Sequence, residues 1–304
     1  MDKIKKAYVD SRFRTRDSNS DSDFKFELKE ALDLPDNTVC YIDDISIPHT
    51  WRTIESHNNK FYIIFKKFYL VGGGTSMTEA YNYMPYVLEL PQGNYTGPQM
   101  AAAIQELLNS FNLTFNFEVL YHTARGSITI EATNPEGIHE HDKFFIPSDF
   151  GISTWLSNTN GDYPWQDING YPEVIDPNNL HSINGVLRNS DMIPSSLQSE
   201  WYRSYESGFI DLLTVHNVYL HCPNLGHFNS IGVRGDNTIN KKVHVSSSFG
   251  YLIIDSVVAP HDKIDVSRQL IKQTVEFSLR DVYGSIINLH GAAISFSLVF
   301  VSTD

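Results

Sequence analysis

The C-terminal part of the chain constrains the fold most, because it contains two runs in which apolar and polar residues alternate. Val275, Phe277 and Leu279 form the apolar series of the first run, and Phe296 belongs to that of the second. A side-chain period of two places each series on one face of a β-strand. An apolar strand at the end of the sequence needs neighbours that shield its edges, so we expect it to close a sheet. Ser297 then lies on the opposite face. If that face reaches solvent, Ser297→Asp is expected to be tolerated better than Phe296→Asp, whereas equal damage would indicate a strand that is buried on two faces.

Similar patterns occur along most of the sequence and predict an all-β protein. Phe24, Phe26 and Leu28 alternate with charged residues and indicate a strand. Residues 39–47 and 61–71 are dominated by β-branched and aromatic side chains, which favour strands. Further runs of this kind fill the last third of the sequence.

One segment departs from this pattern and predicts a small α+β unit. Thr96 and Gln99 form a capping-box pair, and Pro98 suits the first turn of a helix. Two alternating strands follow the helix, over residues 113–121 and 128–132. Apolar residues recur at helical spacing, at Met100, Ala103, Ile104, Leu107, Leu108 and Phe111.

The composition favours a folded core and argues against a protein that binds nucleic acid. The 304 residues are 41% hydrophobic and 19% charged, and the formal net charge is −13. Because a chain of this charge repels a phosphate backbone, we expect no specific nucleic-acid partner. Lysines and arginines cluster in the first sixteen residues, which we interpret as a solvated tail or a contact arm.

Cys40 and Cys222 are the two cysteines of the sequence. Two cysteines in a domain of this size do not form a disulfide framework, so both are predicted to be buried thiols. The first residues show no signal-peptide pattern, and no apolar run is long enough to span a bilayer. We therefore expect a protein made in the reducing interior of a cell, without a transmembrane segment.

Residues with catalytic or metal-binding side chains do not form a recognisable site in the sequence. His139, Glu140, His141 and Asp142 have metal-ligand side chains, but the histidine spacing is not that of a helical zinc site. The histidines form no Ser-His-Asp or Cys-His arrangement, and no glycine loop for phosphate is present. The sequence therefore predicts no enzyme, no cofactor and no metal.

Arg234, Gly235 and Asp236 spell a tripeptide that is known as an integrin-binding signal. The same three residues are favourable turn chemistry. Residue frequencies alone produce such a match in about one sequence in twenty of this length. We therefore prefer the turn and keep a receptor contact as the alternative.

Residues 134–207 are rich in Asn, Asp, Gly, Pro and aromatic side chains and predict a long irregular region. A long irregular segment of a compact domain usually carries function or lacks order, and its aromatic content argues against disorder. Trp and Tyr are enriched at the centres of protein interfaces. The candidate contact residues are Trp155, Tyr163, Trp165, Tyr171 and Trp201.

Three stretches together resemble the minor capsid, or penton, proteins of the virophage and polinton group of viruses. The first is residues 9–18, Val-Asp-Ser-Arg-Phe-Arg-Thr-Arg-Asp-Ser. The second is residues 41–48, Tyr-Ile-Asp-Asp-Ile-Ser-Ile-Pro, together with Trp51. The third begins Phe-Ser-Leu-Arg-Asp-Val-Tyr-Gly at residue 277 and ends Ser-Phe-Ser-Leu-Val-Phe at residue 300. A less specific likeness involves residues 93–96, Gly-Asn-Tyr-Thr.

This resemblance implies a jelly-roll β-sandwich whose first and last strands are neighbours in one sheet. It also implies a homo-pentamer that fills the fivefold vertices of an icosahedral shell, beside a major capsid protein, so that the protein would be found in the virion. The family carries no catalytic residues, and the resemblance transfers none to this chain.

Pattern and resemblance together predict three parts. Residues 1–22 form a flexible N-terminal arm that is dispensable for folding, residues 23–86 and 206–304 form the jelly roll, and residues 87–205 form an insertion. The insertion contains the strand-helix-hairpin unit and the aromatic-rich loops. The alternative function is a receptor- or glycan-binding jelly-roll module of a virion, in which the aromatic loops stack on sugars.

Overall fold

The structure is a computed structural model, and it describes residues 3–56, 58–73, 76–110, 116–133, 142–148, 182–187, 202–213, 215–225 and 237–302. Within these residues the helices are α1 (Gly97–Ser110) and α2 (Ile183–Leu187), and short 3-10 helices span Ser11–Phe13, Pro223–Leu225 and Pro260–Asp262. The strands in chain order are β1 (Lys3–Asp10), β2 (Asp23–Glu27), β3 (Leu32–Asp33), β4 (Thr38–Pro48), β5 (Lys60–Gly73), β6 (Ser76–Glu89), β7 (Asn116–His122), β8 (Ser127–Thr133), β9 (Lys143–Phe145), β10 (Ser204–Glu206), β11 (Asn217–His221), β12 (Ile239–His244), β13 (Leu252–Asp255), β14 (Ile264–Asp265), β15 (Leu270–Ile271), β16 (Thr274–Arg280) and β17 (Ser295–Ser302).

The chain folds into two compact units. The first unit combines Met1–Trp51 with Leu213–Asp304, and the second is Arg52–Leu212. The second unit is therefore an insertion that interrupts the first one.

The first unit is a jelly roll. One of its sheets has the strand order β1-β17-β4-β13, with β14 pairing to the start of β4, and the other has the order β12-β11-β16-β2. All neighbouring strands in both sheets are antiparallel. The eight strands of these two orders, counted along the chain, are β1, β2, β4, β11, β12, β13, β16 and β17. In that count the first sheet contains strands 1, 8, 3 and 6, and the second contains strands 5, 4, 7 and 2. This alternation between two sheets is the jelly-roll arrangement.

The C-terminal strand closes the first sheet, as its pattern predicts. β17 lies between β1 and β4 and pairs with both strands. Phe296 is 2% exposed and belongs to the core, but Ser297 is also only 2% exposed. The strand is thus covered on both faces, and the expectation that the Ser297 face reaches solvent is wrong. The physical reason is that Ser297 is small and lies in a central strand, where its register partner Tyr8 on β1 is much larger.

The prediction of a flexible arm over residues 1–22 is wrong for Lys3–Asp10, which form β1. All eight residues of this strand are in register with β17, and Val9 is 2% exposed in the core. The alternation of the strand is hidden in the sequence because lysines occupy several of its positions. The backbone of β17 needs a partner on this side, and that requirement outweighs the polar composition of β1.

The predicted domain boundaries also require correction at the first interruption of the jelly roll. β5 and β6 form a long antiparallel hairpin with fourteen register pairs, and β9 extends it into a three-stranded sheet. Phe61, Ile63 and Phe65 of β5 pack in the core of the second unit. The hairpin therefore belongs to the insertion rather than to residues 23–86 of the predicted jelly roll.

The strand-helix-hairpin prediction is confirmed in the second unit. Helix α1 begins directly after Thr96, whose backbone N–H and hydroxyl both donate to Gln99 Oε1 over 2.9 Å. Met100, Ile104 and Leu108 lie on its buried face. β7 and β8 form the following hairpin, and β10 pairs with β8. The region predicted to be irregular contains β9, α2 and β10. The sequence does not predict these elements, because three to five residues are too few to show periodicity.

Candidate interaction surface

The aromatic contact residues and the tripeptide that the sequence nominates lie outside the described residues. This applies to Trp155, Tyr163, Trp165, Tyr171 and Trp201, and to Arg234, Gly235 and Asp236. The candidate surface is therefore built from the described part of the jelly roll.

Asp142, the last residue of the metal-ligand run, has a structural role. Asp142 is 7% exposed, and its Oδ1 accepts a 2.7 Å hydrogen bond from the backbone N–H of Phe68. The other members of the run, residues 139–141, lie outside the described part of the chain. Among the residues that the structure does describe, no three His, Cys, Asp or Glu side chains are grouped to hold a metal ion. The described helices also include none that is long and apolar enough to cross a membrane.

Ion pairs neutralise several charges of the basic N-terminal cluster. Lys6 Nζ lies 2.7 Å from Asp43 Oδ2, Arg12 contacts Asp10, and Arg14 contacts Asp21. The hydrogen bond from Arg12 holds the pKa of the Asp10 carboxyl below its ordinary value. Positive charges that are paired in this way attract a phosphate backbone less strongly than free ones. Of these pairs, Lys6–Asp43 links β1 to β4 of the same sheet.

One edge of the first sheet presents apolar side chains on β1 and on the turn that follows it. Ile4, Tyr8 and Phe13 are 65%, 73% and 74% exposed, and we call these three residues the β1 edge. Lys6 lies between Ile4 and Tyr8 on the same face, with its Nζ 5.3 Å from the centroid of the Tyr8 ring. The ion pair with Asp43 holds the Lys6 ammonium group near the ring. The cation–π contact then helps to hold the Tyr8 ring in place.

The opposite edge of the same sheet presents a second apolar surface, around β13. Tyr251, Leu252, Ile254 and Val257 are 70%, 56%, 67% and 71% exposed, and we call these four residues the β13 edge. Ile253, between them, is 1% exposed and packs in the core. The largest exposed apolar patch of a monomeric protein is often a functional surface. Edge strands are usually protected by charged residues or proline, but apolar side chains occupy three of the four positions of β13.

A buried lysine fastens the β13 edge to the second sheet of the jelly roll. Lys241 on β12 has a side chain that is 3% exposed, and its Nζ lies 3.6 Å from Asp255 Oδ1 and 3.5 Å from Asp262 Oδ2. Lys241 also donates to the carbonyl oxygen of Val257. Two carboxylates and a carbonyl thus surround one ammonium group. These contacts hold the segment after β13 in one conformation and thereby stabilise the β13 edge.

Neither edge is evident from the sequence. The run Tyr251-Leu-Ile-Ile resembles a strand that is buried on both faces, because it contains no polar alternation. The lysines of β1 are typical of a solvated tail. The missing information in both cases is the position of the strand in its sheet, which is set by residues more than two hundred positions away.

These features define an all-β protein with an eight-stranded jelly roll, an inserted second unit, and two apolar edges on one sheet. No family model matches the sequence, and no curated protein matches it. Among solved structures, the chain is similar to the mavirus penton protein in its selenomethionine-labelled crystal form. That similarity covers 100% of both chains with a TM-score of 0.48 and 9% sequence identity.

Proposed function

We propose that this chain is a structural capsid protein that forms the pentameric vertex of an icosahedral virus. The observation that carries the proposal is the location of the three stretches that resemble penton proteins. Residues 9–18 include the end of β1, residues 41–48 lie in β4, and residues 277–300 span the end of β16 and most of β17. β17 pairs with both β1 and β4, so stretches far apart in sequence meet in one sheet of the jelly roll.

The jelly roll is an architecture that viral capsids use, but lectins and cupins use it as well, and a fold alone does not define a function. The two apolar edges add a second argument. A closed ring of identical subunits needs two different surfaces on each chain. The β1 edge and the β13 edge are such a pair of surfaces and lie on opposite sides of the same sheet.

In this proposal five copies form a ring at each vertex, and each copy contacts a neighbouring major capsid protein. The protein then acts as a structural component of the virion, and its role requires neither catalysis nor a cofactor.

The proposal is tested by native mass spectrometry at several protein concentrations, together with electron imaging of particles that contain the chain with a labelled terminus. We expect pentamers in solution, or label at the fivefold vertices when the ring closes only within the shell. A stable trimer contradicts the proposal, because threefold closure is incompatible with a fivefold position. Label away from the vertices contradicts it as well. Glycan-array binding that is lost on Trp165→Ala would favour the alternative binding module.

A further inference from the structure

We propose that the β13 edge of this chain binds the β1 edge of a second copy, so that the first sheet continues from one subunit into the next. This inference rests on the proposed ring assembly and identifies the surfaces that form it. The occupant of the β13 edge is thus another molecule of the same protein.

The backbone directions favour this pairing. β1 is antiparallel to β17, β17 is antiparallel to β4, and β4 is antiparallel to β13. β1 and β13 consequently run in opposite directions. If a second copy is placed beside the first by rotation about an axis parallel to the strands, its β1 is antiparallel to the β13 of the first copy. The directions of the two strands are therefore those of an antiparallel pair.

The side chains on the two edges favour the same contact. The register across the sheet shows which side chains are level. Asp10 pairs with Ser295, Ser295 pairs with Ser46, and Ser46 pairs with Ile254, so β13 is level with the end of β1 that carries Tyr8. A second copy related by rotation alone therefore brings Tyr8 close to the exposed side chains of β13, and apolar cross-strand neighbours stabilise antiparallel sheets. Ile4 lies towards the other end of the sheet, level with Asp265. Only four apolar side chains form the β13 edge, whereas a stable pair usually buries about 800 Å² on each partner. A single contact is therefore weak, and a closed ring gains from making several at once.

Charge at the other end of the sheet favours the same partner. Lys5 on β1 is level with Ile264 on β14, through Phe300 and Cys40, and Asp265 is the next residue. A neighbouring copy would therefore bring Lys5 near Asp265, and opposite charge favours this contact. Lys6, Asp255 and Asp262 add less, because they are already paired with Asp43 and Lys241 within the chain.

The first experiment uses one disabled edge in each variant. Tyr8→Lys disables the β1 edge and Ile254→Lys disables the β13 edge, and both substitutions are at exposed positions. In sedimentation velocity each variant alone should be monomeric under conditions in which the wild-type chain associates. One intact contact remains between the two chains, so an equimolar mixture at high protein concentration should contain heterodimers and nothing larger. Leu270→Lys is the matched control, since Leu270 is 67% exposed and lies in β15, outside both edges; it should associate like the wild-type chain.

The second experiment traps the contact covalently, so it does not depend on a stable ring. One chain carries Tyr8→Cys and the other carries Ile254→Cys. Mild oxidation should yield a mixed disulfide-linked dimer and much less of either homodimer. The native thiols of Cys40 and Cys222 are buried and should not compete.

Two results overturn the inference. Dimers of Tyr8→Lys alone would show that the contact is symmetric, and the absence of the mixed disulfide at high protein concentration would show that the edges do not meet. The vertex proposal is tested separately, by imaging of the labelled particles. Label at the vertices without the mixed disulfide refutes only this contact, whereas the mixed disulfide without vertex label refutes only the capsid position.

Discussion

Phe277 and Phe296 lie edge to face between the two sheets of the jelly roll, with ring centroids 4.9 Å apart and ring planes at 75°. Phe277 is on β16 and Phe296 is on β17, so consecutive strands of the chain meet across the core. Phe24 on β2 lies 5.6 Å from Phe277 and extends this aromatic cluster. An aromatic pair of this geometry contributes about 0.5–1.5 kcal/mol in addition to the burial of its surface.

Phe296→Asp is expected to prevent folding. The substitution removes aromatic packing worth about 3–5 kcal/mol and buries an unpaired carboxylate, which together approach the total stability of about 5–15 kcal/mol of a typical domain. Ser297→Asp is also expected to be strongly destabilising, because Ser297 is 2% exposed. Ser295→Asp, on the same strand at a half-buried position, serves as the milder control. Circular dichroism and denaturant unfolding of the three variants check this order. Wild-type stability of Ser297→Asp would contradict the burial of the second face of β17.

The first strand should be essential for folding rather than dispensable. Val9→Asp places a carboxylate at a position that is 2% exposed and is expected to cost several kcal/mol. Ile4→Asp, at a 65% exposed position of the same strand, should change the free energy of unfolding by less than about 0.5 kcal/mol. Thermal unfolding of the two variants distinguishes a strand from an arm. Equal, small effects of both substitutions would restore the original prediction of a dispensable N-terminus.

The sequence predicts those elements whose burial follows from their own pattern. β16 alternates, and α1 has both its capping pair and its apolar face, so local rules determine these elements. The alternation of β17 predicts the strand and its core face, but not the burial of Ser297 on the other face. β1 and β13 are different, because their roles depend on which strands lie beside them. Lys3 and Lys5 hide the strand character of β1, and the apolar run of β13 conceals its position at an edge.

The boundary of the insertion is hidden for a related reason. Phe61, Ile63 and Phe65 predict a strand but not the core in which its side chains pack. Only the pairing of β5 with β9 and the packing beside Phe117 and Phe144 assign this hairpin to the second unit. The candidate aromatic contacts at residues 155–201 remain predictions, since the described residues do not include them.

Asn184 should be a sensitive position of the second unit. Its Oδ1 accepts a 2.8 Å hydrogen bond from the Tyr62 N–H, and its Nδ2 donates to the carbonyl oxygens of Tyr62 and Pro147 over 2.8 and 2.7 Å. Asn184→Asp replaces the donating amide by an oxygen that faces two carbonyl oxygens. We expect a loss of about 1–3 kcal/mol or more in unfolding free energy. Asn116→Asp, at an exposed position of β7, is the matched control, and denaturant unfolding provides the comparison.

The two cysteines should be inert in the folded protein. Burial raises the pKa of the Cys222 thiol to about 12 and raises that of Cys40 further, with the proximity of Cys222 as a smaller cause for Cys40. Since the thiolate is the reactive form, a thiol reagent at pH 8 should modify neither residue in the native state and both in denaturant. Leu270→Cys, at an exposed position, should react at once and thus verify the reagent. Rapid labelling of Cys40 or Cys222 without unfolding would contradict their placement in the core.

Lys241 should stabilise the jelly roll and hold the β13 edge in place. In Lys241→Met the side-chain volume is nearly retained, but Asp255 and Asp262 lose their shared cation. These carboxylates are 21% and 23% exposed and can be partly hydrated, so the cost should lie below the roughly 3–5 kcal/mol of a fully buried broken pair. Lys242→Met, at the exposed neighbouring position of β12, should be close to neutral. If Lys241 orients the edge, Lys241→Met also weakens self-association at temperatures where the variant is still fully folded. Sedimentation velocity beside thermal unfolding separates the two effects, and unchanged association of a destabilised variant would restrict Lys241 to a role in stability.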